Sequence, residues 1–557
     1  MQIRNAKAST IADCLFLFAV VMFSALPYVS GLGFYADDWD YLGILTHYNQ
    51  GGFAAQFKAL AREEPAMVIR PVHPVYFIGC FRSFGMHPMP YHILNFIAIA
   101  FATACLYLAM RQLLLGDRWL AFLIALAFGV IPHYCSDRFW FTGQVANLSV
   151  AFLFLGTYLV LRSIRPDLQS RKGTVLGIGC LIMSMLSYEI TLGWIAGLLG
   201  FVTFRSFVHA RNPESIKSAL RRSAYIMLPF IAIGAWKVLR QTRMSRHHHL
   251  WSNLGVHTAN ALEQAIRFNF WSFGLKMPLI LRSLYATSAL TTSAVLSSLT
   301  VGIAVIAYLW RCMDPSTMPN RTRCIKIALL GLVIFGLGFV LFFANARETL
   351  DFTTAGLDNR IAIASAPGAA CVLVALAALI SSLVKSPYWR HRSFSILLGF
   401  VCAANCLVVD GIASYWVVAA SKQQQILQFL SSDVSSLPTR SVLLLDGFCR
   451  YSGPGFVFET GGDATGAVQL ALKDASLRSD VVSRDLRFDD SAVNTTYYGA
   501  PEEQYSYGDH LFIYNASYRT FRSLQSPHDA RRYLKTENPT GDSGCPVARD
   551  GNGETIF

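Results

Sequence analysis

Charged side chains are scarce in this chain: they make up 15% of its 557 residues, where an ordinary soluble domain carries about 25%. A water-soluble globule is thereby excluded, because it would have to expose much of the 53% of residues that are hydrophobic. Acids are scarcer than bases, 34 against 47. Fixed-period repeats and long low-complexity tracts are lacking too, which excludes a solenoid. The formal charge of +13 does not point to nucleic acid. From Ser421 onward the chain has 13 Lys and Arg against 17 Asp and Glu, so the excess positive charge lies among the hydrophobic blocks.

Those blocks run for about 15 to 25 residues, close to the length that crosses a bilayer's hydrocarbon core. With no water there, each must be a helix that satisfies its own backbone. The candidate spans are 11–30, 91–110, 119–132, 145–161, 173–187, 190–204, 223–239, 287–310, 327–344, 361–384 and 393–411. The first follows Arg4 and Lys7 as a secretory leader would. It runs on into Gly31-Leu-Gly-Phe-Tyr-Ala-Asp-Asp without a small-residue cleavage site, and it reads as an uncleaved helix. The segments 1–10, 111–118, 162–172, 205–222, 311–326 and 385–392 hold twenty Lys and Arg but only four acids, Asp117, Asp167, Glu214 and Asp314. Positive charge of this kind marks the cytoplasmic face.

The expected fold is therefore mostly α. A polytopic helical membrane domain, 1–420, has about 11 spans, its N-terminus inside and a large first outer loop, 31–90. A small mixed α/β domain, 421–557, follows outside, where Ser441-Val-Leu-Leu-Leu-Asp reads as a buried strand. Loop 240–286 breaks the charge rule: it carries Arg240, Arg243, Arg246, Arg267, Lys276 and Arg282 yet falls outside, so it is expected to bind something anionic. The run Arg246-His-His-His249 reads as solvated loop rather than metal site. Gly193 and Gly197 read as helix packing. Cys402 and Cys406 read as small core residues, and Cys449 and Cys545 are candidates to pair in an oxidising compartment.

The sharpest local feature is Phe34-Tyr-Ala-Asp-Asp-Trp-Asp-Tyr, just after the first span. Asp37, Asp38 and Asp40 crowd together, and like charges this close disfavour one another unless a proton or cation is shared. Such a group suits a general base towards a hydroxyl, or a divalent cation held by oxygen ligands. The plain alternative is acids in a helix's first turn, complementing its dipole. Further along, Arg70 and His73 stand in Ile69-Arg-Pro-Val-His-Pro, and Glu189 separates two apolar stretches. Asp137-Arg138 and Asp358-Asn-Arg360 stand at span ends on the same expected face. Ionisable groups at membrane depth are functional candidates. Arginines also bind phosphate in bidentate fashion.

These residues resemble the GT-C superfamily of membrane glycosyltransferases, which use polyprenyl-phosphate-linked sugars. The resemblance covers about 1–410. It rests on the first span leading into Asp37-Asp38, on the Arg70-Pro segment ending at Tyr91-His-Ile-Leu-Asn95, on Ser187-Tyr-Glu189 and on Asp358-Asn-Arg360. It implies that Asp37 or Asp38 deprotonates the acceptor hydroxyl, or helps hold a divalent cation (Mg or Mn), in an inverting displacement. The leaving lipid phosphate needs positive charge, for which Arg70, Arg138, Arg360, Arg243 and Arg246 are the sources, with Asp40, His73 and Glu189 beside them. No cofactor is obligatory. The family's acidic pair is often Asp-Glu; the Asp-Asp here leaves open which carboxylate is the base. A bacterial inner-membrane enzyme with its site on the periplasmic face follows, its partners a polyprenyl-phosphate sugar, membrane lipid and a cell-envelope acceptor. The rival reading is a flippase or transporter of an anionic lipid-linked glycan.

Overall fold

The computed structural model describes residues 2–164, 170–208, 213–244, 254–343, 357–434, 436–483, 486–495 and 503–536. Each of the eleven predicted spans coincides with helix. Among the described residues, six helices are long and apolar enough to cross a membrane: Ala8–Ala25, Pro88–Leu113, Gln144–Ser163, Thr292–Cys312, Arg321–Leu341 and Pro387–Asp433. Arg118–Val130 and Ala366–Ser381 are apolar but shorter. The chain is thus a helical membrane protein with a small strand region at its C-terminal end, and helix length alone does not give the number of crossings.

Small residues let these helices approach closely, as packing within lipid demands. Gly156 faces Gly177, Gly302 faces Gly399 and Gly331 faces Gly368, each pair within contact of the other's backbone. Gly193 and Gly197 both pack on Leu337, and a Cβ on Gly193 would overlap the Leu337 carbonyl oxygen. Asp13, in the first helix, is fully buried. Arg118 Nε and Nη2 each donate to it at 2.7 Å, and the Tyr107 and Tyr308 hydroxyls donate at 2.5 and 2.6 Å. Its charge is satisfied from three other helices, and it serves as a staple.

Two expectations are corrected here. The predicted boundary at 420 falls inside one unbroken 47-residue helix, Pro387–Asp433. At 1.5 Å per residue it is about 70 Å long, more than twice the hydrocarbon thickness of about 30 Å, so its C-terminal part runs on beyond the apolar core and carries the tail. The basic segment 240–286 is also largely helical rather than a loop: Leu254–Ile266, a π-helical stretch Arg267–Leu275, and Met277–Ala286. Arg246 lies outside the described residues, as do the histidines after it. Arg243 lies on described backbone, at the end of the helix Pro213–Met244, but its side chain is outside the description.

The tail is built on a four-stranded sheet in the order Arg478–Val481, Val442–Asp446, Leu511–Asn515, Thr520–Ser523. The first three are parallel and the last antiparallel. Helix Gly461–Leu472 connects two of the parallel strands, and it packs directly against helix Asp37–His47 of the membrane domain. The tail and the first predicted outer loop therefore share one side of the bundle. Cys449 is disulfide-bonded; Cys545, its candidate partner from the sequence, lies outside the described residues.

Gly193→Leu is expected to lower the unfolding temperature in detergent markedly, because the helix cannot move off Leu337 without opening the bundle. Gly200→Leu, where a Cβ would meet nothing within 4 Å, is the matched control and should be tolerated. Equal effects from both would show that the contact is not a packing constraint.

Candidate functional site

The acidic segment forms the first turn of helix Asp37–His47, so the dipole-complementing reading holds as far as placement goes. The three acids nevertheless part company. Asp38 is fully buried. It accepts from the backbone N–H of Tyr35 at 3.0 Å, of Phe141 at 3.3 Å and of Thr142 at 2.7 Å, and from the Thr142 hydroxyl at 2.6 Å. Burial pushes its carboxyl up to about 7, against the pull of the Thr142 and Tyr35 hydrogen bonds. Three backbone N–H groups can only donate, so this pocket is shaped for the anion. Asp38 ties the first loop to the segment after the helix Ser136–Phe139.

Asp37 is open where Asp38 is closed. Its side chain is exposed, yet burial raises its carboxyl while the Arg360 and Arg70 charges draw it back down. A group that keeps accessible surface and is still desolvated lies in a recess. The backbone before it is held in an unusual state: Ala36 has φ 46° and ψ −128°, where a residue with a Cβ is strained. Asp40 turns elsewhere. Burial lifts its carboxyl to about 8, helped by the charges of Glu64, Asp37 and Asp463. Glu64 is lifted to about 7, first by burial and then by Asp37. Asp40 thus shares an acidic group with Glu64, Asp463 and Asp37, a setting that suits contact with a hydroxyl-bearing substrate better than with a phosphate.

The basic side of the recess is built by Arg70, where the short helix Ala66–Ile69 ends and Pro71 starts the next. Arg70 and Glu189 form a two-pronged ion pair, with Nε to Oε2 at 3.0 Å and Nη2 on Oε1. The guanidinium lies 4.4 Å over the Tyr188 ring. Lys237 Nζ reaches Glu189 Oε2 at 3.4 Å. Burial opposes the Glu189 charge, but Arg70 and Lys237 hold the carboxyl down to about 2. Arg360, in the 3-10 segment Leu357–Ala364, sits 5.0 Å over the Trp140 ring and adds its charge at Asp37. Burial, Arg70 and Arg360 push buried His73 down to about 3, so it is neutral at ordinary pH.

Arg138 is not among them. It is fully buried, and its Nη2 donates to the Gly129 carbonyl at 2.9 Å, the Ile131 carbonyl at 3.3 Å and the Tyr134 hydroxyl at 3.0 Å. It satisfies carbonyls at the end of helix Arg118–Val130, and its expected role towards a phosphate is corrected accordingly. The Asp358 side chain is outside the description. Of the two acids expected at the candidate cation site, only Asp37 is left open. Both Asp38 oxygens are taken by donors, and among the described residues no group of three or more His, Cys, Asp or Glu side chains is arranged to hold a metal. Lys237 was missed from the sequence. Its signal was a lysine in the apolar run Tyr225–Leu239, the kind of residue that marks function by default.

No family model matches this chain, and no curated protein does. Solved structures similar to it include two crystal structures of ArnT from Cupriavidus metallidurans, one apo and one bound to undecaprenyl phosphate. Each is 12% identical over 85% of this chain, and the match covers 85% and 86% of those chains with a TM-score of 0.35. At that score it says nothing of this chain's residues or activity.

Ala36→Gly is expected to raise stability by about 1 kcal/mol, because glycine adopts positive φ freely. Ala36→Val should destabilise by more. Denaturant unfolding in detergent would measure both. A glycine variant no more stable than the parent would mean that the turn stores no strain.

Proposed function

We propose that this protein is a glycosyltransferase that moves a sugar from a polyprenyl-phosphate donor to a cell-envelope acceptor at the periplasmic face of a bacterial inner membrane. The observation that supports it best is the division of labour in the recess: Asp37 is an open carboxylate, opposite an arginine already held in place by an acid. Undecaprenyl phosphate, bound in one of the similar ArnT structures, is a lipid of the class proposed as carrier.

In this reading the acceptor hydroxyl attacks the anomeric carbon and Asp37 takes its proton. The bond from that carbon to the phosphate oxygen breaks on the opposite side, so the configuration inverts. The lipid phosphate departs as an anion and needs positive charge rather than a proton. Arg70, Arg360 and Lys237 supply it from a partly desolvated site, where such stabilisation is strongest. Glu189 orients Arg70 and Lys237 before substrate arrives, which lowers the cost of organising them in the transition state. No step requires a bound metal, although a divalent cation remains compatible with donors brought by the substrate. A transporter would place its ionisable groups near the membrane midplane, often in repeated halves; here Asp37, Arg70, Glu189, Lys237 and Arg360 gather at one recess.

Asp37→Asn is expected to lower kcat for transfer from a defined polyprenyl-phosphate sugar by about 10²- to 10⁴-fold, the usual worth of a general base. Full activity in that variant would remove the assignment. The base must be ionised to act. The acid limb of the rate profile should therefore lie above the ordinary carboxyl value of about 4, with the rate rising as pH rises. Arg360→Gln removes a positive charge that favours the anion, so it should move the limb to still higher pH. A limb that stays put would show that Arg360 does not act on the base.

A further inference from the structure

The helix that carries Asp37 is gripped at three places by groups distant in sequence. Asp38 is held by Thr142 and Phe141. The Tyr35 hydroxyl donates to the Trp416 carbonyl of the last membrane helix at 2.8 Å, and the two rings meet edge to face at 4.8 Å. The third grip comes from the tail. A Cβ on Gly466 would overlap the carbonyl of Trp39, and a Cβ on Gly43 would stand 3.1 Å from the Gly466 Cα. Two helices therefore cross backbone to backbone at Gly43 and Gly466, about one and a half turns past Asp37 and Asp38. The tail helix is itself firmly seated. Thr460 and Asp463 close its N-terminus in a capping box, and Gln469 Nε2 donates to the Ala475 and Leu477 carbonyls at 3.2 and 2.9 Å.

We infer that the tail domain completes the site: Gly466 is a positioning residue whose missing side chain lets the tail helix hold the Asp37–His47 helix, and with it Asp37, at its working height in the recess. This rests on Asp37 being the working carboxylate of the proposed function. Backbone contact explains the choice of glycine, since any side chain at Gly466 must drive the two helices apart. The strained turn at Ala36 supplies the lever. A residue held at positive φ relaxes when its surroundings loosen, and the residue it releases is Asp37. The tail is then part of the active centre, and a ligand or modification that shifts its helix acts on transfer directly.

The test uses the full chain in detergent or nanodiscs, with G466V, G43A and, as control, G79A, where a Cβ meets nothing within 4 Å. Two quantities are read: the kinetics of sugar transfer, and the pH dependence of carbodiimide modification at Asp37, followed by mass spectrometry. The expected result for G466V is a kcat loss of about tenfold or more with an almost unchanged donor KM, as for an interaction felt only in the transition state. The modification midpoint should fall by about one pH unit as water reaches a carboxyl that burial had raised. G43A loads the same crossing from the membrane side without touching the tail's core, and it should shift both quantities in the same directions. Should G466V fail to fold, G43A decides alone. Folded variants with the parent's kcat and the parent's modification profile would overturn the inference. The chemical labelling is independent of turnover. If the parent itself transfers no sugar, the proposed function fails, and the labelling still decides whether the tail sets the environment of Asp37.

Discussion

The carboxylate of Asp38 is the interaction on which the site depends. It lies out of contact with water and is met by donors from Tyr35, Phe141 and Thr142. Two of those residues belong to a segment about a hundred positions away. Desolvating an acid is expensive unless such donors replace the lost water, and once they do, removing any one leaves a buried charge short of a partner. The first loop is thereby fixed to the bundle, the turn at Ala36 is forced, and the next residue along the chain is left facing the recess. The open acid is a consequence of the closed one.

A second layer of the same logic fixes the closing segment. Asn95 Nδ2 donates to the Asp137 carbonyl at 2.7 Å and the Arg138 carbonyl at 3.2 Å, and Asn147 Nδ2 donates to the Asp137 carbonyl at 2.7 Å. His92 meets the Gly33 carbonyl at 2.8 Å. The residues of Tyr91-His-Ile-Leu-Asn95 that stood out in the sequence are thus buttresses. They hold backbone on both sides of Asp38 and do not enter the recess.

Much of this was legible in one dimension, and the failures are physical. Helices were readable because the bilayer imposes length and apolarity together, and the tail's first strand because Val442–Asp446 is a continuous apolar run between polar stretches. The crowding of Asp37, Asp38 and Asp40 pointed to the segment on which the proposed site is built. It could not tell which acid is closed, since that depends on Thr142, and no local pattern links the two. Arg138 misled for the same reason: an arginine at a span end serves a phosphate or a helix's own carbonyls equally well on sequence grounds. Lys237 was passed over because its run reads as ordinary membrane helix, although its charge was the anomaly. The reach of the last helix past 420 was hidden because polar glutamines after Ser421 resemble a linker, while helix continues readily through Gln and Lys.

The neutralised pair at Glu189 bears on how such a recess can hold two kinds of charge. Arg70 and Lys237 both turn to one carboxylate, so the cluster keeps one net positive charge with its strongest donors already aligned. In the proposed function a phosphate would meet an oriented guanidinium over Tyr188 and a second one over Trp140, and aromatic faces beneath both restrict their movement. Without Glu189 the two cations would repel one another and, being desolvated, would favour any small anion. With it, the site's attraction for a bare anion is reduced while its geometry is retained, which favours a ligand large enough to reach Arg70, Lys237 and Arg360 at once. Selectivity of that kind comes from a counter-charge placed behind the donors, and it needs no contact between Glu189 and the ligand.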